Sequence, residues 1–510
     1  MSVYAIGMDS GTQSSKVVIV EMETGRIIGR GRAPHALIAG LPEGTDEQNP
    51  EDWITALKIA LKEALAEAAL PDLKQIVVLG VSGQQHGFVP LDEQGRVIRP
   101  AKLWCDTSTI VEAADIISAL GGPGAVLEKT GMPIAVGFTA SKILWLKRHE
   151  PDHYDRLRTV LLPHNYINYV LTGRACMEYG DASGTGLMDV RNRIWSREAA
   201  EAIDPALPGF LPELRPPSEP VGLLRGEFAG EFGLADVLVA AGGGDNMMAA
   251  VGTGNVRPGV CTVSLGTSGT VFSYASAPLI DPRGEIAGFC DSTGGWLPLL
   301  CTMNVTNVTE CWKAVLNLDN SRRDEIAAQA PAGSEGLIFL PFLEGERVPI
   351  LPDACGVFFG LNRKTFEASR MTRAVMEGAL LNLGYGLGRL RALGLAPSEI
   401  RATGGGSHSA FWLQIAADLF QIPVVTLEES EAAAFGAAIQ AIWNWRNQRG
   451  EGVSLSSLTD GLVRTSGPTV EPDPKNRAVY EVRQARFNSL WRTLVPEFHA
   501  EADVQREVED

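Results

Sequence analysis

Several things are scarce or missing in this chain. No apolar run approaches membrane-spanning length, and the first residues enter a strand-like segment with no signal-peptide pattern, so a cytoplasmic protein is expected. Seven cysteines in 510 residues, an odd number without a CxxC pair, argue for reduced thiols. Lysine and arginine number 44 against 61 acids, and the net charge of −17 speaks against nucleic acid or an anionic membrane as the main partner. A phosphate can still be held against that background by local amides and one or two cations. GxxxxGK[ST] occurs nowhere, which excludes a P-loop, and low-complexity tracts and coiled-coil heptads are absent. Glycine is plentiful, with 55 residues. The 45% hydrophobic and 21% charged content is that of an ordinary globular protein, and the length calls for two or more domains.

The stretch Ala241 to Gly254 organises the reading. An apolar strand-like run, Val237 to Ala241, breaks at Gly242-Gly243-Gly244 and presents Asp245-Asn246 where an apolar helix begins. Glycines let a backbone approach a ligand because no Cβ intervenes, and a helix N-terminus adds amide donors and positive potential. Asp245 is thereby either an exposed, oriented carboxylate or simply a helix cap.

Earlier, the strand-like YAIGMD ending at Asp9 runs into Ser10-Gly11-Thr12-Gln13-Ser14-Ser15-Lys16 and then Val17 to Val20. This predicts a hairpin whose tip offers N–H groups, hydroxyls and Lys16; it is a phosphate cradle or an ordinary polar turn. Asn49-Pro50 opens a helix with Trp53, Leu57, Leu61 and Leu65 on one face. A strand over Ile76 to Val81 delivers Ser82-Gly83-Gln84-Gln85-His86-Gly87 at its carboxyl end, where open α/β sheets bind ligands. Gln85 and His86 could read substrate hydroxyls there, and Trp104 beside Asp106 offers an aromatic face to a polyol or packs at a loop edge.

The pattern then repeats. Val260 to Phe272 reads as a second hairpin around Gly266-Thr267-Ser268-Gly269. Ile400 to Thr403 leads into Gly404-Gly405-Gly406-Ser407 and a helix. The order hairpin then strand–GGG–helix thus occurs twice, which predicts an internal duplication of two α/β halves. Residues 344–347 place acids and an arginine on a loop after a strand, with an internal ion pair preferred to a ligand contact. Long helices are expected over 370–393 and 432–445, and a terminal one over 476–491 that packs back on the body.

Phosphoryl transfer to an alcohol needs positioned phosphates, a divalent cation, a bound acceptor and a base. Asp9 could orient Mg²⁺ through waters, Asp245 could accept the hydroxyl proton, and Gln85, His86, Trp104 and Asn246 could form the acceptor pocket.

Taken together, Gly7 to Lys16, Gly243 to Asn246, Ser264 to Thr270, Leu340 to Pro349, and Lys142 with Trp145 resemble the FGGY family of carbohydrate kinases, within the actin-like ATPase superfamily. The resemblance implies an α/β fold of two duplicated actin-like (ribonuclease H-like) ATPase domains with a cleft between them. The domains would be 1–252, carrying the sugar site and base, and 253–510, carrying the nucleotide site, with the last helix packing back on the first. Within the family the chain is similar to the xylulose-kinase subgroup. That implies ATP-dependent phosphorylation of D-xylulose at its 5-hydroxyl, with Asp245 as base and Asp9 supporting Mg-ATP. The implied nucleotide contacts are Gly11, Thr12, Gln13, Lys16, Gly266, Thr267, Gly405, Gly406 and Ser407. The partners are then a small-molecule sugar and ATP, with a homodimer as the candidate assembly. Gln85 stands where that subgroup usually has methionine, so another ketose or polyol, such as ribulose, is the alternative substrate. Arg370 stands where the family signature has an acidic, amide or histidine side chain. An actin-like ATPase without a sugar substrate is the alternative from a different class.

Overall fold

The computed structural model describes residues 2–509 and divides the chain into two units. One gathers the chain up to Arg257 with Tyr274–Leu297 and Glu431–Val463; the other holds Pro258–Ser273, Pro298–Ser430 and the chain from Arg464 onward. The units are interleaved along the chain.

The reason lies in the helix Ala432–Gln448, which is built into the first unit at glycine contacts. An ideal Cβ on Gly7 would stand 1.9 Å from the carbonyl oxygen of Ala434, and one on Gly80 would stand 2.1 Å from that of Ala437. On the helix itself, a Cβ on Gly436 would stand 1.8 Å from the oxygen of Met248, and one on Gly252 would stand 1.9 Å from that of Ala432. Small residues on both partners let backbone pack on backbone, which a single branched side chain would prevent.

In the first unit's sheet, Tyr4–Ser10 lies between Ser14–Glu21, its antiparallel hairpin partner, and the parallel strand Ile76–Gly83. Leu238–Val239 and the short Gly243–Gly244 both pair in parallel with Ile76–Gly83. Three chain segments therefore end at one edge, with Asp9 opposite Ser82 and Ser82 opposite Gly243. Helix Pro50–Ala68 covers one face, burying Trp53, Leu57 and Leu61. Asn49 stands at its cap position but makes no side-chain cap bond, so Pro50 and the acids Glu51 and Asp52 carry the start.

The second unit repeats the hairpin. Val260–Leu265 is antiparallel to Gly269–Ser273 and parallel to Glu399–Thr403, and Val424–Leu427 follows on the far side. Both units therefore begin with the same three-strand arrangement. The two triple glycines, however, are not equivalent. Glu399–Thr403 sits next to the hairpin, as Ile76–Gly83 does in the first unit, whereas Gly243–Gly244 lie one strand further out.

Helices Ala368–Ala392 and Arg477–Glu509 lie in this second unit. They are joined where the Tyr480 hydroxyl donates to Glu377 Oε1 at 2.8 Å and accepts from Arg373 at 3.0 Å. The terminal helix belongs to the second unit and runs well past residue 491. Arg370 pairs with Glu335 at 2.7 Å and also with Glu367. Among the described residues no single helix is long and apolar enough to cross a membrane.

Gly436→Ala tests the backbone packing. A helix interior normally gains about 1 kcal/mol from this change, but overpacking costs about 1–3 kcal/mol, and a Cβ 1.8 Å from an oxygen forces the backbones apart. The variant is expected to unfold at lower denaturant than the wild type; an equal or higher midpoint contradicts the packing account.

Candidate active site

The edge at which the three strands end carries two carboxylates. Asp9 is buried at the end of Tyr4–Ser10, and Ser82 Oγ donates to its Oδ1 at 2.7 Å. Asp245 opens the helix Asp245–Gly252, two residues beyond Gly243. Its Oδ1 accepts from the backbone N–H of Asn246 at 2.7 Å and from Asn246 Nδ2 at 3.0 Å. Its Oδ2 has no hydrogen-bond partner among the described residues.

Asp245 is half-buried, part of its surface open while protein crowds the rest. That setting, then the negative charge of Asp9 and a smaller push from Asp181, raise its carboxyl to about 7, and the bonds from Asn246 only partly offset this. Burial likewise raises Asp9, with the Ser82 bond and the Lys16 charge opposing. The like charges are the chemistry of a place where a cation or a proton is wanted. Among the described residues no group of three or more ligating side chains forms a ready cation cage.

Around the carboxylates stand the expected pocket residues. Gln85 Oε1 accepts from Asn246 Nδ2 at 2.9 Å. His86 adopts a φ of +63° and lies against Phe138 and Phe289, with ring centroids 4.5 and 5.7 Å away, while its Nδ1 donates to the carbonyl oxygen of Gly184 at 2.8 Å. The His86 carbonyl accepts from Lys142 Nζ at 2.9 Å and from Thr139 Oγ1 at 3.2 Å. Burial lowers the Lys142 ammonium to about 7. The Lys142 of the sequence pattern therefore holds the His86 turn in place.

Trp104 does more than offer a face: its indole N–H donates to Thr12 Oγ1 at 2.9 Å, and Thr12 in turn donates to Gln84 Oε1 at 3.3 Å. Gln48 continues this chain, accepting from Gln84 and from the buried Trp53, and donating to the Thr12 carbonyl. The Thr12 hydroxyl is thus engaged inside the protein, which amends the picture of a hairpin tip offering all its hydroxyls. Lys16 is paired too, 2.5 Å from Glu431.

The hairpin closes by Gly11 N–H donating to the Ser14 oxygen at 3.1 Å. A Cβ on Gly11 would make only an ordinary 3.7 Å contact, and one on Gly405 would meet nothing within 4 Å. Neither glycine is required by packing around its turn.

In the second unit the two turns are brought together. Gly404 takes a φ of +81°, and its Cβ would lie 2.8 Å from the Leu265 carbonyl carbon and 2.9 Å from Gly266 N. Thr267 and Gly405 are exposed, and Ser407 Oγ donates to the Gly404 carbonyl at 2.7 Å. Behind the first turn, Val305 and Thr306 donate to the carbonyls of Thr267 and Gly266. Glu346 supports that segment, accepting from Met303 N–H at 2.8 Å and from Asn304 and Asn382. The 344–347 loop is a tie, as expected, but through amides and not an ion pair, because Glu346 is buried and takes N–H donors from every side.

A cluster beneath Asp245 escaped the sequence reading. His164 Nε2 donates to the Ala241 carbonyl at 2.7 Å, and Nδ1 lies 3.0 Å from Asp181 Oδ2. Glu178 accepts from the N–H groups of Gly180 and Asp181, and burial pushes it up to about 8. In sequence Asp181 to Thr185 reads only as a small polar loop, and nothing local joins it or Glu178 to His164.

Profiles of the FGGY family of carbohydrate kinases match this chain twice, the N-terminal domain over residues 4–252 and the C-terminal domain over residues 261–445. The chain is 45% identical to the xylulose kinase of Haemophilus influenzae over 444 residues, 86% of this chain and 90% of that one. It is 34% identical to the xylulose kinase of Escherichia coli, covering 96% and 99% of the two. Among solved structures it is similar to a xyloylose kinase from Brucella ovis, with a TM-score of 0.89, 31% identity, and 96% and 99% coverage. Its two sheet-bearing α/β units are those of the actin-like ATPase fold, and the chain belongs to the FGGY family of carbohydrate kinases.

Proposed function

We propose that this kinase transfers the γ-phosphoryl group of ATP to the 5-hydroxyl of D-xylulose, giving D-xylulose 5-phosphate. The observation that carries the reading is Asp245: a carboxylate at a helix start, one oxygen fixed by Asn246 and the other without a hydrogen-bond partner among the described residues. The named relatives support the choice of sugar.

In this reading Asp245 Oδ2 takes the proton of the acceptor hydroxyl as its oxygen attacks phosphorus. A base that titrates near neutrality holds the hydroxyl proton well yet is ionised at working pH. Gln85, His86, Trp104 and Asn246 bind the sugar, with the rings of Phe138 and Phe289 fixing His86. The N–H groups around Gly11, Thr12 and Gln13, with Lys16, meet phosphate, and Gly266, Thr267, Gly405, Gly406 and Ser407 meet the nucleotide. Asp9 is suited to hold Mg²⁺ through waters, since that ion seldom sheds its whole shell. When bound there, the ion would neutralise charge on the phosphates. Work in the cytoplasm fits the seven free thiols.

Two outcomes test the base. Asp245→Asn is expected to keep nucleotide binding and lose about 10²–10⁴ in sugar-dependent kcat, read by coupled ADP release; near-normal turnover removes Asp245 from the role. In the wild type, kcat/KM for the sugar is expected to rise with pH through about 7 as the carboxyl ionises. A flat profile from pH 5.5 to 8 contradicts it.

Stability should move the other way. A carboxyl raised in the folded state binds its proton more tightly there than in the unfolded chain, so its contribution falls as pH rises from the ordinary aspartate value through about 7. Asp245→Asn is therefore expected to melt higher than the wild type at pH 8, with the difference shrinking toward pH 4; a variant less stable at pH 8 than at pH 4, relative to the wild type, opposes it.

A further inference from the structure

We propose that Gln85 is a specificity-determining hydrogen-bond donor to a sugar oxygen other than the one that is phosphorylated, its amide oriented by Asp245 through Asn246. The inference rests on the kinase reading above. Asn246 Nδ2 stands 3.0 Å from Asp245 Oδ1 and 2.9 Å from Gln85 Oε1. An ionised carboxylate only accepts, so the group of Asn246 facing it is the NH₂. The second hydrogen of that NH₂ then demands an acceptor, which fixes the oxygen of Gln85 toward it. Turning Gln85 over would set two NH₂ groups against each other.

Both N–H bonds of Gln85 are thereby turned away from Asn246. Gln85 is 5% exposed, and its Nε2 is buried with no hydrogen-bond partner among the described residues. A buried donor without an acceptor is costly, and a ligand oxygen supplies one. The amide lies over the backbone that leads into Asp245: a Cβ on Gly244 would stand 2.6 Å from Gln85 Cγ and 3.1 Å from Nε2. From the two hydrogen bonds and ordinary bond lengths, Nε2 is at most about 8 Å from Asp245 Oδ1, within the span of one five-carbon sugar. A donor on the attacking oxygen would withdraw the charge that Asp245 builds there, so the contact belongs on a different oxygen. The ligand class is a polyhydroxylated ketose with an acceptor oxygen at that place.

The test is steady-state kinetics of the full-length wild type, Gln85→Met and Gln85→Glu on D-xylulose and on analogues each lacking one oxygen. Methionine keeps the length without donors. Glutamate keeps the shape and the acceptor for Asn246 but has no N–H, and any charge effect it brings is common to all the sugars. Both variants are expected to lose about ten-fold or more in kcat/KM on D-xylulose, mainly through KM. The loss should shrink to about two-fold or less for the one analogue that lacks the contacted oxygen, and persist for the others. An equal loss on every analogue, or none on D-xylulose, overturns the donor role while leaving the kinase reading intact. A wild type that phosphorylates no ketose overturns the proposed function, and this inference with it.

Discussion

Two carboxylates are obliged to share one sheet edge by strand register. Tyr4–Ser10, Ile76–Gly83 and Gly243–Gly244 run parallel and stop together, so Asp9, Ser82 and the start of the Asp245 helix meet without any long connection. Burial raises the proton affinity of both, and at Asp245 the charge of Asp9 adds to it. The helix terminus and the Asn246 donors act in the opposite sense. What results is a carboxyl balanced near neutrality, a value that suits a proton acceptor and that a plain helix cap has no use for.

The surrounding polar groups are mostly engaged with one another. Lys142 holds the His86 carbonyl, Trp104 and Gln84 share Thr12, and His164 holds the carbonyl of Ala241 just before the glycines. Such tethering lowers the reorganisation needed when a substrate arrives. Against that background two atoms beside Asn246 are informative: Asp245 Oδ2, which takes no part in the Asn246 bonds, and Gln85 Nε2, which is buried with no hydrogen-bond partner among the described residues.

Much of this was legible in the chain itself. The hairpin at Ser10 to Lys16, its counterpart at Gly266 to Gly269 and the glycine-led Asp245 are local patterns of turn chemistry and apolar runs, and they survive folding as read. The partners that set the chemistry were not legible, because they come from distant segments: Ser82 for Asp9, Glu431 for Lys16, Asp181 for His164. Similar glycine triplets misled as to equivalence, since Gly243–Gly244 form a short strand one place beyond Ile76–Gly83, whereas Gly404–Gly406 follow the strand next to the hairpin as a turn. The glycines and alanines of Ala432–Gln448 looked like an ordinary buried helix face, yet their small size is what ties that helix to the first unit.

The most direct measurement is the carboxyl titration of Asp245, followed by infrared or carbon NMR signals of labelled aspartate in the wild type and in Asp9→Asn. The account predicts an Asp245 that titrates near 7 in the wild type and falls once the neighbouring charge is gone, with burial still holding it above the ordinary aspartate range. An Asp245 that titrates in the ordinary range in the wild type, or that is indifferent to Asp9, would contradict it.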